Sequence, residues 1–272
     1  MNIKLIFSDI DGTLIKPKGE LSENTKEAIY KLNALKIPFI LVSARSPEEM
    51  FGYYELLKLN TPIIGYNGGI ISEYKDNKLN ILESTPISSE EPIIIYDIMK
   101  QNFPQLSISI YSETKWYADG IDYGVEIESK LTGIEPVITN IKNLILSGVH
   151  IHKIMIIGDC HDIISAEKFL KGQGSFTSSI HRSGEIYLEV TNRHATKVHA
   201  MKKIASEYYN ISSEYIMAIG DGYNDLDMLK NVKFGIAMGN APDEIKNSLD
   251  YVTKTNLEDG VAHIIDKLVL QK

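Results

Sequence analysis

Cysteine is almost absent from this chain, with Cys160 the single one among 272 residues. One cysteine cannot form an intramolecular disulfide, so the sequence predicts a protein of the reducing cytoplasm. No apolar run approaches the ~18 residues of a membrane-spanning helix, and we expect no membrane partner. The first segment already carries Asp9 and Asp11, so we expect no secretory leader.

Basic residues are in deficit: 28 Lys and Arg stand against 36 Asp and Glu, a formal charge of −8. This balance argues against nucleic acid as a partner. Hydrophobic residues at 43% and charged residues at 24% are typical of a globular protein in water. The length fits one large domain or two smaller ones, and the sequence leaves the oligomeric state open, a monomer included.

The first 70 residues alternate between buried-type strands and capped helices. Apolar segments at Ile3–Ser8, Ile37–Val42 and Pro62–Tyr66 indicate strands that are covered on both faces. Ser22 and the Ser46-Pro47 pair are typical of helix starts. This rhythm predicts an α/β fold with a doubly wound, parallel-sheet core.

The alternation of strands and helices is interrupted near residue 84, after a predicted hairpin around Asp76-Asn77, and resumes later in the chain. We therefore predict a core formed by residues 1–84 and 189–272. An α+β domain is inserted between the two parts, over residues 85–188.

Two carboxylates, Asp9 and Asp11, follow the first strand directly, and Gly12 lets the backbone turn away. Ligands of open α/β sheets bind beyond the carboxyl ends of the strands. Strand alternation would point the two carboxylates in similar directions, which favours a hard dication such as Mg²⁺ between them. A strand end followed by an ordinary Asp-Gly turn explains these residues equally well.

Further groups follow other predicted strands. Asp221 comes after an apolar strand and offers a third carboxylate, while Asp225 could support it or simply cap the next helix. Ser43, at the end of the second strand, offers a hydroxyl and adjacent N–H groups. Lys197 lies early in a predicted helix instead and offers a fixed positive charge. Carboxylates, a metal, a hydroxyl and a lysine together are what phosphoryl transfer requires.

The arrangement resembles the haloacid dehalogenase (HAD) superfamily, and more narrowly its Cof-like phosphatases, over nearly the whole chain. The resemblance rests on four motifs: Asp9-Ile10-Asp11-Gly12-Thr13, Leu41-Val42-Ser43-Ala44-Arg45, Lys197 and Gly220-Asp221-Gly222-Tyr223-Asn224-Asp225. The segment Tyr66-Asn67-Gly68-Gly69-Ile70 is similar to the asparagine-glycine turn that precedes the cap in this family. Lys202 and Lys203 follow Lys197 but fit the lysine motif less well. The insertion lies where this group carries its α/β cap domain.

The resemblance implies a role for each motif residue. Asp9 would be the nucleophile that forms an aspartyl-phosphate, and Asp11 the general acid and base. Mg²⁺ would be bound by Asp9, Asp221 and the backbone carbonyl of Asp11, with Asp225 behind them. The phosphate would be held by Ile10, Ser43, Ala44, Lys197 and Asn224. Arg45 and Asn67 are candidates for substrate contacts, although an arginine at this position is equally often solvated.

The residues and the resemblance together imply a Mg²⁺-dependent phosphatase that acts on a small phosphorylated metabolite. The resemblance suggests a sugar phosphate or a cofactor phosphate as that metabolite. Two other functions stay open: a phosphotransferase or mutase that uses the same aspartyl-phosphate, and a signalling module that binds phosphate without hydrolysis. A second Gly-Asp pair, Gly158-Asp159, is interpreted as a strand end and helix N-cap. Tyr111 and Trp116 are interpreted as sheet packing.

Overall fold

The computed structural model describes residues 2–75, 78–174 and 176–271. The predicted hairpin turn at Asp76-Asn77 lies outside the described residues. Up to residue 84 the elements are β1 (Leu5–Ser8), α1 (Glu23–Ala34), β2 (Phe39–Leu41), α2 (Pro47–Leu56), β3 (Ile63–Gly65), β4 (Ile70–Lys75) and β5 (Lys78–Ser84).

The middle of the chain contains α3 (Glu91–Asn102), β6 (Ser107–Ser112), β7 (Lys115–Ala118), α4 (Tyr123–Thr132), β8 (Val137–Ile138), α5 (Ile141–Leu146), β9 (Lys153–Ile157), α6 (Cys160–Gly172), β10 (Ser178–Arg182) and β11 (Tyr187–Asn192). The last part contains α7 (Lys197–Lys203), β12 (Ile216–Gly220), α8 (Leu226–Lys230), β13 (Phe234–Ala237), α9 (Asp243–Lys246), β14 (Tyr251–Val252) and α10 (Gly260–Ile265).

The chain folds into two compact units, residues 1–83 with 196–272, and residues 84–195. The insertion predicted at 85–188 lies within the second unit. That unit extends further, to Ala195, because β11 pairs with both β9 and β10 in its sheet.

The first unit is built on a five-stranded parallel sheet in the order β14-β13-β12-β1-β2. Side chains of β1 alternate between two apolar clusters: Ile6 packs in the cluster that holds α1 and α10, and Phe7 in the cluster that holds α7 and α8. Both faces of the sheet are therefore covered, which confirms the predicted doubly wound α/β fold. Ser22 and Ser46 cap their helices as predicted.

The third predicted strand does not pair as a strand of a doubly wound parallel sheet would. β3 pairs antiparallel with β4, and β3, β4 and β5 form a separate three-stranded sheet. In the part of the chain that the structure describes, β3 meets the parallel sheet at a bridge between Val42 and Ile64. The chain turns back directly after β3, through Gly68 and Gly69, which places β4 as its antiparallel neighbour.

The second unit has a six-stranded sheet in the order β10-β11-β9-β6-β7-β8. One face, which includes Ile108, Ile154 and Leu188, packs in an apolar cluster with residues of α3, α5 and α6. Tyr111 and Trp116 are buried cross-strand neighbours whose rings stack at 5.9 Å, in agreement with a packing role. Within residues 2–75, 78–174 and 176–271, every helix is too short or too polar to cross a bilayer.

Candidate active site

Three adjacent strands of the parallel sheet end in loops that carry the predicted site. Asp9 follows β1, Asp221 follows β12 on one side of it, and Ser43 lies just beyond β2 on the other. The N–H of Asp9 still bonds to the carbonyl of Ile219, at 2.9 Å, so the β1 and β12 loops begin in register. The strand order brings these residues together although more than 200 positions separate Asp9 from Asp221.

A buried lysine joins two of the carboxylates. Nζ of Lys197 lies 2.6 Å from Oδ1 of Asp9 and 2.6 Å from Oδ1 of Asp225, and its side chain is 1% exposed. Thr196 caps α7, so that Lys197 is the first residue of this helix. Burial alone would lower the pKa of Lys197, but the charges of Asp225 and Asp9 raise it above the ordinary value, which keeps the ammonium charged.

Lys202 and Lys203, the other lysines of α7, take no part in this cluster. Lys202 is exposed, and Lys203 forms an ion pair with Glu83. The structure therefore brings Lys197, rather than either of these residues, to Asp9.

Asp225 holds the loop that carries Asp221. Its Oδ2 accepts the backbone N–H groups of Asp221 and Gly222, at 3.1 and 2.9 Å, while Oδ1 accepts from Lys197. Although Asp225 stands at the N-cap position of α8, its side chain makes no capping hydrogen bond. The alternative that Asp225 is an ordinary helix cap is therefore wrong, because its two oxygens bind the loop and the lysine.

The carboxylates of Asp9, Asp221 and Asp225 form a group whose ligand oxygens all lie within 4.8 Å of one another. Three carboxylates against the single ammonium of Lys197 leave two uncompensated negative charges. Burial raises the pKa of Asp9 well above its ordinary value, and burial raises that of Asp221 as well. An oxygen-rich group with this excess of negative charge fits a hard dication.

Asp11 does not point the way that strand alternation suggests. Its carboxylate is outside the group of three and forms a bidentate pair with Arg45, with Nε–Oδ2 at 2.8 Å and Nη2–Oδ1 at 2.7 Å. The side chains of Asp9 and Asp11 are therefore not grouped as strand alternation predicts. The reason is that β1 ends at Ser8, so alternation no longer governs the backbone at Asp11.

Arg45 is thus paired with Asp11 and only partly exposed in this structure. Burial alone would lower its pKa, but the hydrogen bonds and charge of Asp11 raise it. The ring of Tyr53 lies 5.7 Å from the guanidinium carbon. Arg45 is therefore held in place beside Asp11.

The loop after β2 is fixed by backbone and side-chain bonds. Oγ of Ser43 accepts the N–H of Arg45 at 3.1 Å, and the carbonyl of Ser43 accepts the N–H of Asn67 at 2.8 Å. Ala44 lies half-buried between Ser43 and Arg45. Ser43 is itself buried, and a hydroxyl that accepts one hydrogen bond can also donate one.

Asn67 supports Asn224. Asn67 has a positive φ of 55°, and its Oδ1 accepts a hydrogen bond from Nδ2 of Asn224 at 3.0 Å. The turn after β3 thereby orients the asparagine of the β12 loop. Ile10 is buried, and its carbonyl accepts the N–H of Leu14 at 2.9 Å, which shapes the loop after β1.

Thr13 and Asn240 also contact Asp221, although the sequence predicts no role for either side chain. Oγ1 of Thr13 donates to Oδ1 of Asp221 at 2.7 Å, and Nδ2 of Asn240 lies 3.3 Å from its Oδ2. Asn240 follows β13, so the same strand-end rule that selected Asp221 could have found it. The prediction that Asp159 is a helix N-cap is confirmed, because its side chain accepts the N–H of His161 at the start of α6.

A family model described as haloacid dehalogenase-like hydrolase matches residues 6–265. A Haemophilus influenzae protein provisionally named a phosphatase is 34% identical over 270 residues, covering 98% of each chain.

The Bacillus subtilis protein named 5-amino-6-(5-phospho-D-ribitylamino)uracil phosphatase YcsE is 27% identical over 270 residues, 99% of this chain and 97% of its own. The crystal structure of a haloacid dehalogenase-like hydrolase from Bacteroides thetaiotaomicron superposes with a TM-score of 0.88 at 30% identity, covering 98% of this chain and 99% of that one. The predicted resemblance is confirmed: this chain belongs to the haloacid dehalogenase-like hydrolases and is an enzyme of the phosphatase type.

Proposed function

We propose that the protein hydrolyses small phosphomonoesters in a Mg²⁺-dependent reaction that passes through a phosphoryl group on Asp9. The observation that carries this proposal is the convergence of Asp9, Asp221 and Asp225 on one another, with Lys197 between Asp9 and Asp225. A carboxylate nucleophile, a site for a dication and a fixed ammonium within one cluster match the needs of phosphoryl transfer.

The proposed reaction has two steps. An oxygen of Asp9 forms a bond to phosphorus while the bond from phosphorus to the ester oxygen breaks, and Asp11 gives that oxygen a proton. Water then attacks phosphorus, Asp11 takes a proton from it, and the bond between phosphorus and Asp9 breaks. Inorganic phosphate leaves, and both carboxyl groups return to their first state.

The hydrogen bonds of Asp9 distinguish its two carboxylate oxygens. Lys197 binds Oδ1, so we assign the attack on phosphorus to Oδ2. Arg45 occupies both oxygens of Asp11, and proton donation by Asp11 therefore requires this pair to separate when substrate binds.

Mg²⁺ would be held by the carboxylates of Asp9 and Asp221 and the backbone carbonyl of Asp11. Asp225 would act from behind, since its oxygens already accept from Lys197 and two backbone N–H groups. When bound, the dication supplies positive charge that draws the phosphate and the nucleophilic carboxylate together.

The non-bridging oxygens of the phosphate would be bound by Ser43, Ala44, Lys197, Asn224 and the backbone at Ile10. Lys197 brings a full positive charge, Ser43 a hydroxyl donor and Asn224 an amide donor. The amide of Asn224 is held by Asn67, so its orientation is set before substrate arrives. Asn67 therefore acts through Asn224 rather than on the substrate.

The substrate class follows from chemistry that relatives share. The name of the Bacillus subtilis relative describes a phosphomonoester on a polyol chain. We propose that this protein likewise takes a small phosphorylated metabolite, a sugar or polyol phosphate or a cofactor phosphate. The second unit, residues 84–195, is proposed as the cap that selects among such leaving groups.

A phosphate-release assay over a panel of these metabolites, with Mg²⁺ or with chelator, tests the proposal. We expect release from at least one metabolite with Mg²⁺ and none with chelator. Asp9→Asn keeps the shape of the side chain and should abolish release, whereas Asp159→Asn, at the helix cap in the second unit, should not. Release by folded Asp9→Asn at the wild-type rate would contradict the role of Asp9.

The same assay separates the other two functions. A phosphotransferase or mutase would move the phosphoryl group to an acceptor hydroxyl with little free phosphate. A signalling module would keep the phosphoryl group and show no turnover.

A further inference from the structure

Asn240 lies where the loops after β1, β12 and β13 meet. Its Nδ2 donates to the carbonyl of Gly12 at 2.8 Å and to Oδ2 of Asp221 at 3.3 Å. Its Oδ1 accepts the backbone N–H of Asn256 at 3.0 Å. One exposed side chain thus contacts three different loops at the end of the sheet.

The orientation of this amide is decided by its neighbours. The backbone N–H of Asn256 can only donate, so it must face Oδ1 of Asn240, and the two hydrogens of Nδ2 then face two oxygens. Nδ2 of Asn256 in turn donates to the carbonyl of Ile15 at 2.9 Å. Asn240 is therefore fixed from the side opposite Asp221.

Both oxygens of the Asp221 carboxylate receive a neutral donor. Thr13 binds Oδ1 and Asn240 binds Oδ2. Gly12 has a positive φ of 76°, and a Cβ there would lie 2.3 Å from Oδ2 of Asp221, so only glycine lets the loop pack this closely. The carboxylate is held by the β1 loop on one side and by Asn240 on the other.

We infer that Asn240 is a positioning residue for Asp221, whose amide fixes the carboxylate in the orientation that binds the divalent cation. The inference rests on the proposed function, because it takes Asp221 as a metal ligand. Asn240 adds no charge and is not assigned as a ligand. Groups that orient metal ligands in this way typically change metal affinity by about 10- to 100-fold.

The test is Mg²⁺ binding to metal-free Asn240→Leu, measured by titration calorimetry. Leucine has a similar size but no donor, so we expect the Kd for Mg²⁺ to rise by about tenfold. The Mg²⁺ concentration for half-maximal phosphate release should rise in parallel, while kcat at saturating Mg²⁺ stays close to that of the wild type. A merely structural role would not produce this split.

Asn231→Ala is the matched control. Its amide also donates to a backbone carbonyl, that of Asp227 at 2.8 Å, but at the far end of α8 from Asp225. This variant should bind Mg²⁺ as the wild type does. Asn240→Ser, whose hydroxyl is too short to reach both oxygens, gives the same comparison if the leucine variant does not fold.

The outcomes separate the two claims. A Kd for Mg²⁺ within twofold of the wild type in the folded Asn240 variants overturns the role of Asn240 while the proposed function stands. A wild-type protein that binds no Mg²⁺ overturns the proposed metal site, and the role of Asn240 with it.

Discussion

The buried contacts of Lys197 allow a prediction of stability that does not depend on catalysis. Lys197→Met keeps the length of the side chain but leaves Asp9 and Asp225 facing each other without the ammonium. At 2.6 Å each contact corresponds to about 6 kcal/mol of attraction in an effective dielectric of 20. Desolvation of the ammonium offsets much of this, and breaking a buried pair typically lowers the free energy of unfolding by about 3–5 kcal/mol.

The loss should depend on pH in a definite direction. Lys197 lowers the pKa of Asp9, which burial raises, so its removal raises that pKa further. In the variant the native state then binds a proton at a pH where the unfolded chain, with an Asp pKa of about 3.9, does not. Because burial raises the pKa of Asp9 in both proteins, and further in the variant, stability rises more steeply in the variant as the pH falls from 7 toward 4, and the difference from the wild type shrinks.

Urea unfolding with chelator at pH 7 and pH 5 measures both effects. Lys202→Met, the same change at an exposed position of the same helix, should alter the free energy of unfolding by less than about 0.5 kcal/mol. A loss below about 1 kcal/mol for Lys197→Met at pH 7, or a loss that grows on acidification, would refute the reasoning.

Three further changes have expected outcomes. Asp11→Asn should slow release from alkyl phosphates by about 100-fold and from nitrophenyl phosphate much less, because the better leaving group needs no proton; equal losses in steady-state kinetics would refute Asp11 as the acid. Asp221→Asn should raise the Mg²⁺ concentration for half-maximal activity by about tenfold or more, whereas Asp159→Asn leaves it unchanged; the reverse ranking would refute the choice of Asp221. Trp116→Ala should lower the free energy of unfolding by about 3–5 kcal/mol in denaturant titrations, because its ring is buried, and a loss below about 1 kcal/mol would contradict its packing role.

The positions of Asp9, Ser43 and Asp221 could be predicted because strand ends are visible in the sequence. Each follows a short apolar segment, and parallel strands bring their carboxyl ends to one edge of the sheet. Lys197 could be predicted as a positive charge early in a helix, which the family motif supports, but its contacts with Asp9 and Asp225 could not be read from its neighbours in the chain.

The direction of Asp11 could not be predicted from alternation. β1 ends at Ser8, the backbone then turns through Gly12, and the partner of Asp11 is an arginine 34 positions away. Only the tertiary structure reveals that Arg45 binds this carboxylate.

Other structural details could not be predicted from the sequence because they depend on very short elements. β14 has two residues, too few to give an apolar pattern, yet the loop after it supplies the Asn256 N–H that fixes Asn240. The helix that begins with α10 changes from α to π geometry at Asp266, a change that hydrophobic periodicity does not show.

The central claim is that Asp9 carries the phosphoryl group, and chemical trapping of that group tests it most directly. Enzyme mixed with Mg²⁺ and a hydrolysed metabolite is quenched within one turnover and treated with borohydride, which reduces an acyl phosphate to an alcohol. Peptide mass spectrometry should then find the reduced side chain at position 9, and none in Asp9→Asn. Continued hydrolysis with Asp9 unmodified, or trapping at another residue, would contradict the account.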